Sequence, residues 1–132
     1  MAHAGNYKLY LKEANKEDGF LKQLWDYIQS NQHYKGKTTL LITCDHGRGD
    51  VLLQSWTDHG EKTPHSEQTW FAVMGPDSPS SGEIKTKTTT YHKQLAQTLS
   101  NLLGFDFKAS AGHEVGAAIP TVMGAANSMT LK

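Results

Sequence analysis

Several things this chain has little or none of narrow its class. Its one cysteine, Cys44, excludes an intrachain disulfide framework and any multi-thiolate zinc ribbon. No apolar run approaches the ~20 residues needed to span a bilayer, so no membrane partner is expected. The opening MAHAGNYK lacks the charged and apolar regions of a signal peptide, which leaves the compartment open. Charge of one sign is missing too: 13 Lys+Arg stand against 13 Asp+Glu. Neither nucleic acid nor an anionic surface would feel a strong overall field, so no nucleic-acid partner is expected. Intrinsic disorder is disfavoured by three Trp, five Tyr and four Phe at zero net charge. A chain of 132 residues fits a single domain over 1–132.

What the chain has in excess is histidine, seven in all. Several lie beside Asp, Glu or Gly, which directs attention to metal or acid–base chemistry.

The apolar residues Tyr7, Tyr10, Leu11, Ala14, Leu21, Leu24, Trp25 and Ile28 recur at helical spacing. They predict an amphipathic helix over about 6–32, packed by one face. Asp18 falls on that stripe and reads as a paired structural carboxylate. After Lys35-Gly36-Lys37, the run Thr38–Thr43 is short, apolar in its middle and β-branched, as a buried parallel strand would be. A second strand is expected over Thr69–Met74, stopped by Gly75-Pro76. A polar stretch, Asp77–Thr90, leads to a second amphipathic helix over 91–103, with Gly104 as its stop. From Lys108 onward irregular structure is expected. Helix, short loop and buried strand in that order predict an α/β fold, a partial three-layer α/β/α sandwich with mainly parallel strands.

The chemistry concentrates in the 23-residue connection from Cys44 to Ser66. It begins Asp45-His46-Gly47-Arg48-Gly49-Asp50 at the carboxyl end of the first strand, where open α/β sheets bind ligands. Asp45 and His46 offer one oxygen and one nitrogen donor, suited to Zn²⁺, or to Mn²⁺ with more oxygens. Gly47 and Gly49 let the backbone turn sharply, and Arg48 presents a fork that matches phosphate or sulfate oxygens. Trp56-Thr57-Asp58-His59-Gly60 and His65 follow. Each piece alone is ordinary polar surface: Arg48 could bridge to Asp50, Cys44 could be a small buried residue, and His33, His92 and His113 have no convergent partners. Their combination at a strand end is what favours a site.

The run TTLLITCDHGRGD, then Trp56–Gly60, then TWFAVMGPD, resembles the C-terminal part of the alkaline phosphatase superfamily. That group includes sulfatases, nucleotide phosphodiesterases and cofactor-independent phosphoglycerate mutases. The resemblance runs from Ala2 to about Phe107, and its ordered DHG, HG and GP are specific at the superfamily level. It implies an alkaline-phosphatase-like fold and two divalent metal ions, Zn or Mn, acting on a phosphate- or sulfate-ester small molecule. Asp45 and His46 match the adjacent pair on one metal. His59 matches the distant His on the other, with His65 as its rival. His3 looks like the His that accompanies it, and Arg48 is the substrate-contact candidate.

The Asp–nucleophile segment of such enzymes has no counterpart here. The chain is therefore expected to be a C-terminal fragment, inactive alone, of a hydrolase or mutase. Half of a doubly wound sheet would leave an edge open, which predicts a homodimer through that edge. Two other readings stand beside it: a non-catalytic α/β interaction module with a vestigial site, and a small zinc-binding protein using Asp45, His46 and His59.

Overall fold

The computed structural model describes residues 1–86 and 88–123. The chain divides into two compact units, Met1–Ala72 and Val73–Lys132.

The first unit opens with a single 3-10 turn, Ala2–Ala4, closed by Gly5 in the left-handed region (φ 66°). Helix α1 (Tyr7–Ser30) follows, close to the expected span. Asn6 caps it: its side-chain oxygen accepts from Leu9 N at 3.0 Å, pairing one N–H that a helix start leaves without a partner. Asn31, in extended conformation, ends it. The apolar stripe is present but thinly covered. Ile28 is buried, Tyr10, Leu21 and Trp25 are half-buried, and Tyr7, Leu11 and Leu24 are exposed, as is Asp18. Among the described residues no helix is long and apolar enough to cross a membrane.

Strands β1 (Leu40–Thr43) and β2 (Phe71–Met74) pair in one two-stranded sheet. Here the expected fold is overturned. The strands are antiparallel, and among the described residues there is no parallel, three-layer α/β/α sandwich of the alkaline-phosphatase-like kind. A parallel neighbour needs a crossover that carries the chain back along the sheet, usually a helix. The segment after β1 holds only one 3-10 turn, Ser55–Thr57, and returns to the end where β1 stopped. The Thr43 hydroxyl accordingly donates to Trp70 O at 2.7 Å. β2 also alternates, with Phe71 and Val73 half-buried and Ala72 and Met74 exposed, the pattern of a strand covered on one side.

In the second unit, 75–90 forms turns and bends without regular structure, apart from Lys87, which lies outside the described residues. A 3-10 turn, His92–Gln94, runs into α2 (Leu95–Leu102), and Gly104 (φ 79°) follows in the left-handed conformation that ends such a helix. Asp106 caps a single-turn helix, α3 (Phe107–Ser110), where irregular structure was expected to begin; from 124 the expected irregular tail lies outside the described residues. The core of this unit is Ile119, Val122 and Thr98. Thr98 Oγ1 donates to Gln94 O at 2.7 Å and accepts from Ile119 N at 2.9 Å, which pins the incoming segment to α2.

Among the described residues four apolar side chains are buried, while Phe20, Leu53, Trp70, Leu103 and Phe105 each keep more than half their area in water.

Thr98→Val preserves shape but leaves the Ile119 N–H buried without an acceptor. The variant is expected to lose about 1–3 kcal/mol in urea unfolding, against a near-neutral effect for Leu99→Ala at an exposed position of α2.

Candidate functional site

Two anchors bring distant segments of the first unit together. The first is aromatic. Trp56 sits edge-on to Tyr7 (ring centroids 5.1 Å apart) and beside Tyr10 (5.9 Å), tying the Ser55–Thr57 turn to the start of α1. Ala2, buried to 3% exposure, seats the N-terminal turn beside it. His3 lies four residues before Tyr7 and His59 three after Trp56, so the anchor delivers both imidazoles to one place. Their centroids are 5.1 Å apart, with planes tilted by 51°.

The second anchor is backbone. Gly47 N donates to Ser66 O at 2.7 Å and Gly49 N to Asp58 O at 3.3 Å, drawing the return loop onto the end of β1. A Cβ on Gly47 would overlap the Gln68 carbonyl, and one on Gly49 would meet Ser55 and Thr63. The glycines at these positions permit that approach. Arg48 spans the same gap, donating to Thr57 O at 3.2 Å.

These anchors stack His59 on His46, with ring centroids 3.7 Å apart and planes within 18°. His46 Nδ1 lies 2.8 Å from Gly47 O. A carbonyl oxygen only accepts, so Nδ1 carries the proton and the neutral ring keeps its lone pair on Nε2. That Nε2 is 3.6 Å from Asp45 Oδ2, while Asp45 Oδ1 accepts from His46 N at 2.9 Å. Beside the stack lies an open hollow of about 410 Å³, walled by His46, His59 and the 60–67 loop with Glu61 and Glu67.

The pKa of His59 is lowered. Loss of water against its neighbours is the main cause; His46, His3 and Arg48 add to it, and Asp45 opposes. The unfolded chain therefore binds more protons at this position than the folded one. Stability is fully present above the ordinary histidine pKa of about 6.5 and declines as pH falls below it.

Of the residues singled out in the sequence, Asp45, His46, His59 and His3 gather in one place, with Arg48 bracing the loop behind them. His65 does not join the stack. It adopts φ 67°, lines the hollow, and places Nδ1 2.5 Å from Asp50 Oδ1, so Asp50 pairs with His65 rather than with Arg48. Cys44 is half-buried with a free thiol. His33 follows α1, and His92 and His113 lie in the second unit. Among the described residues no three His, Cys, Asp or Glu side chains stand ready to hold one ion. Sequence reasoning missed two structural parts. The Trp56–Tyr7–Tyr10 anchor joins elements far apart in the chain, where no periodicity reports it. Ser66 is polar and almost fully buried, and nothing in its flanking residues marks it.

The Hε1 resonance of His59 is expected to titrate with a midpoint below the ordinary histidine value. His46→Ala removes both the covering ring and a neighbouring charge, and should move that midpoint upward. A native midpoint at or above about 6.5 would contradict the stacked geometry.

No protein-family model, curated protein or solved structure matches this chain.

Proposed function

We propose that the first unit carries part of a divalent-metal site acting on phosphate or sulfate esters, its remaining ligands and its nucleophile lying outside these 132 residues. The observation that carries this reading is the Asp45–His46 pair. His46 Nε2 and Asp45 Oδ2 lie 3.6 Å apart, one imidazole nitrogen and one carboxylate oxygen side by side. Two donors on one tetrahedral Zn²⁺ stand about 3.4 Å apart, so the pair fits one edge of a coordination sphere.

His59 belongs with His3 rather than with His46. Lone pairs of an imidazole lie in the ring plane, and those of two stacked rings run along near-parallel planes that do not meet at one ion. The tilt between His3 and His59 leaves their planes free to intersect. The four donors thus divide into two pairs, Asp45 with His46 and His3 with His59. The same division is implied by the resemblance to the alkaline phosphatase superfamily.

Two Zn²⁺ or Mn²⁺ ions bound there would neutralise ester oxygens and favour the deprotonated form of a nucleophile. The chain's own residues hold and orient. The Gly47 carbonyl fixes the His46 tautomer, as outer carbonyls do for metal-bound imidazoles. Arg48 braces the loop through Thr57 and adds positive charge beside His59, favourable to an anionic substrate. Two donors per ion make binding weak, and without a nucleophile no ester is cleaved.

Titration with Co²⁺, followed by visible absorption and histidine NMR shifts, is expected to show weak binding with dissociation constants above about 1 μM. His46→Ala and His59→Ala should each weaken one half of that binding by about tenfold or more. With Zn²⁺ or Mn²⁺ added, p-nitrophenyl phosphate and p-nitrophenyl sulfate should remain uncleaved. Turnover lost with His46→Ala would refute the incomplete-site reading. Nanomolar binding would instead favour a self-sufficient zinc protein, and no binding at all an interaction module.

A further inference from the structure

Ser66 is only 4% exposed, although Pro64, His65, Glu67 and Gln68 around it all face solvent. Its main-chain carbonyl accepts from Gly47 N at 2.7 Å. Its hydroxyl accepts from Gly60 N and donates to Gly60 O, both at 3.1 Å. Gly47 is the residue after His46, and Gly60 the residue after His59. One side chain and its own carbonyl therefore hold the backbone behind both stacked rings. We propose that Ser66 is a positioning residue that sets the separation of His46 and His59.

The local chain is arranged to deliver that hydroxyl inward. Thr63 N donates to Gly60 O and Ser66 N to Thr63 O, two successive turns that curl the loop back on itself. His65, at φ 67°, is the one non-glycine residue with positive φ among those described, and this left-handed step reverses the chain immediately before Ser66. Gly60 itself sits at φ 103°, a conformation reserved for glycine, so its amide and carbonyl both reach one hydroxyl. Neither alanine nor a larger apolar residue can supply an acceptor and a donor at that point. Ser66 touches no reacting group. It acts through the two glycines, and its consequence for metal binding rests on the proposed function, whereas its effect on ring geometry does not.

The test is made on the full chain without metal. In Ser66→Ala the NOE between the His46 and His59 rings should vanish and exchange of the Gly60 amide should quicken at least about tenfold. Ser66→Thr, which keeps the hydroxyl, should retain both. A folded Ser66→Ala protein with an unchanged ring-to-ring NOE would overturn the proposal. If Ser66→Ala loses the helical signal of α1, the native chain decides: one clamp opening both sides requires Gly47 and Gly60 amides of equal protection within about tenfold, and a wider gap overturns it. Zn²⁺ titration then separates the two ideas. A lost NOE supports the clamp whatever Zn²⁺ does, while Zn²⁺ binding that His46→Ala and His59→Ala both leave unchanged refutes the metal reading and not the clamp.

Discussion

The contact on which the first unit turns is the hydrogen bond from Gly47 N to Ser66 O, made where a Cβ would collide with the Gln68 carbonyl. A long loop is held against the end of a four-residue strand by that approach. Closing such a loop costs chain entropy that rises only slowly with its length, so a few well-made contacts suffice. The loop supplies one further anchor of its own, Trp56 against Tyr7 and Tyr10, and the two anchors sit on either side of His59 in sequence. The stack of His59 on His46 is thus a consequence of two closures made elsewhere. The antiparallel direction of β2 follows from the same return, since the chain re-enters the sheet beside the residue where it left.

The uncovered surface and the incomplete donor set are shortages of one kind. α1 has the stripe of a helix that packs on a layer, yet Ile28 is its one buried residue and Leu11, Phe20 and Leu24 remain in water. On the proposed reading the histidine cluster offers each ion two donors where a tetrahedral site takes four. Apolar faces of this extent mark surfaces made to be covered. On the proposed reading a single additional layer would meet both needs, covering the helix and bringing carboxylates to the imidazoles. Zero net charge is compatible with such docking, because neither side would have to overcome a strong field.

How far the sequence could be read depended on whether the signal was local. α1 was legible because 3.6-residue spacing is a property of one segment, and the stop at Gly104 was legible because a left-handed residue there has few alternatives to glycine. The four-residue strands were found within two residues of their ends, but their mutual direction was misjudged. Helix–loop–strand is the beginning of a parallel unit and equally of a hairpin with a long connection, and only the path of 44–70 distinguishes them. For the site, Asp45, His46, His59 and His3 were picked out by composition and by resemblance. Their convergence rests on contacts between Trp56 and α1 and between Ser66 and two glycines, and such irregularly spaced pairs leave no period to read. Arg48 was legible as a fork for oxygen atoms, and it does donate to one, the carbonyl of Thr57 rather than an ester.

The lowered pKa of His59 bears on what the proposed site can do. An imidazolium there would attract phosphate or sulfate directly, by charge, with no further group. Dewetting by its neighbours, and then the charges of His46, His3 and Arg48, oppose that form and lower the pKa of the ring. A neutral imidazole stacked on a second one, whose free Nε2 faces a carboxylate, is arranged to give electron density rather than to receive an anion. Such a cluster engages an ester only through something electron-poor between them. On the proposed reading this suits a cation-holding site rather than a plain anion pocket, and acid works against it, because protonating His59 removes the lone pair it would offer.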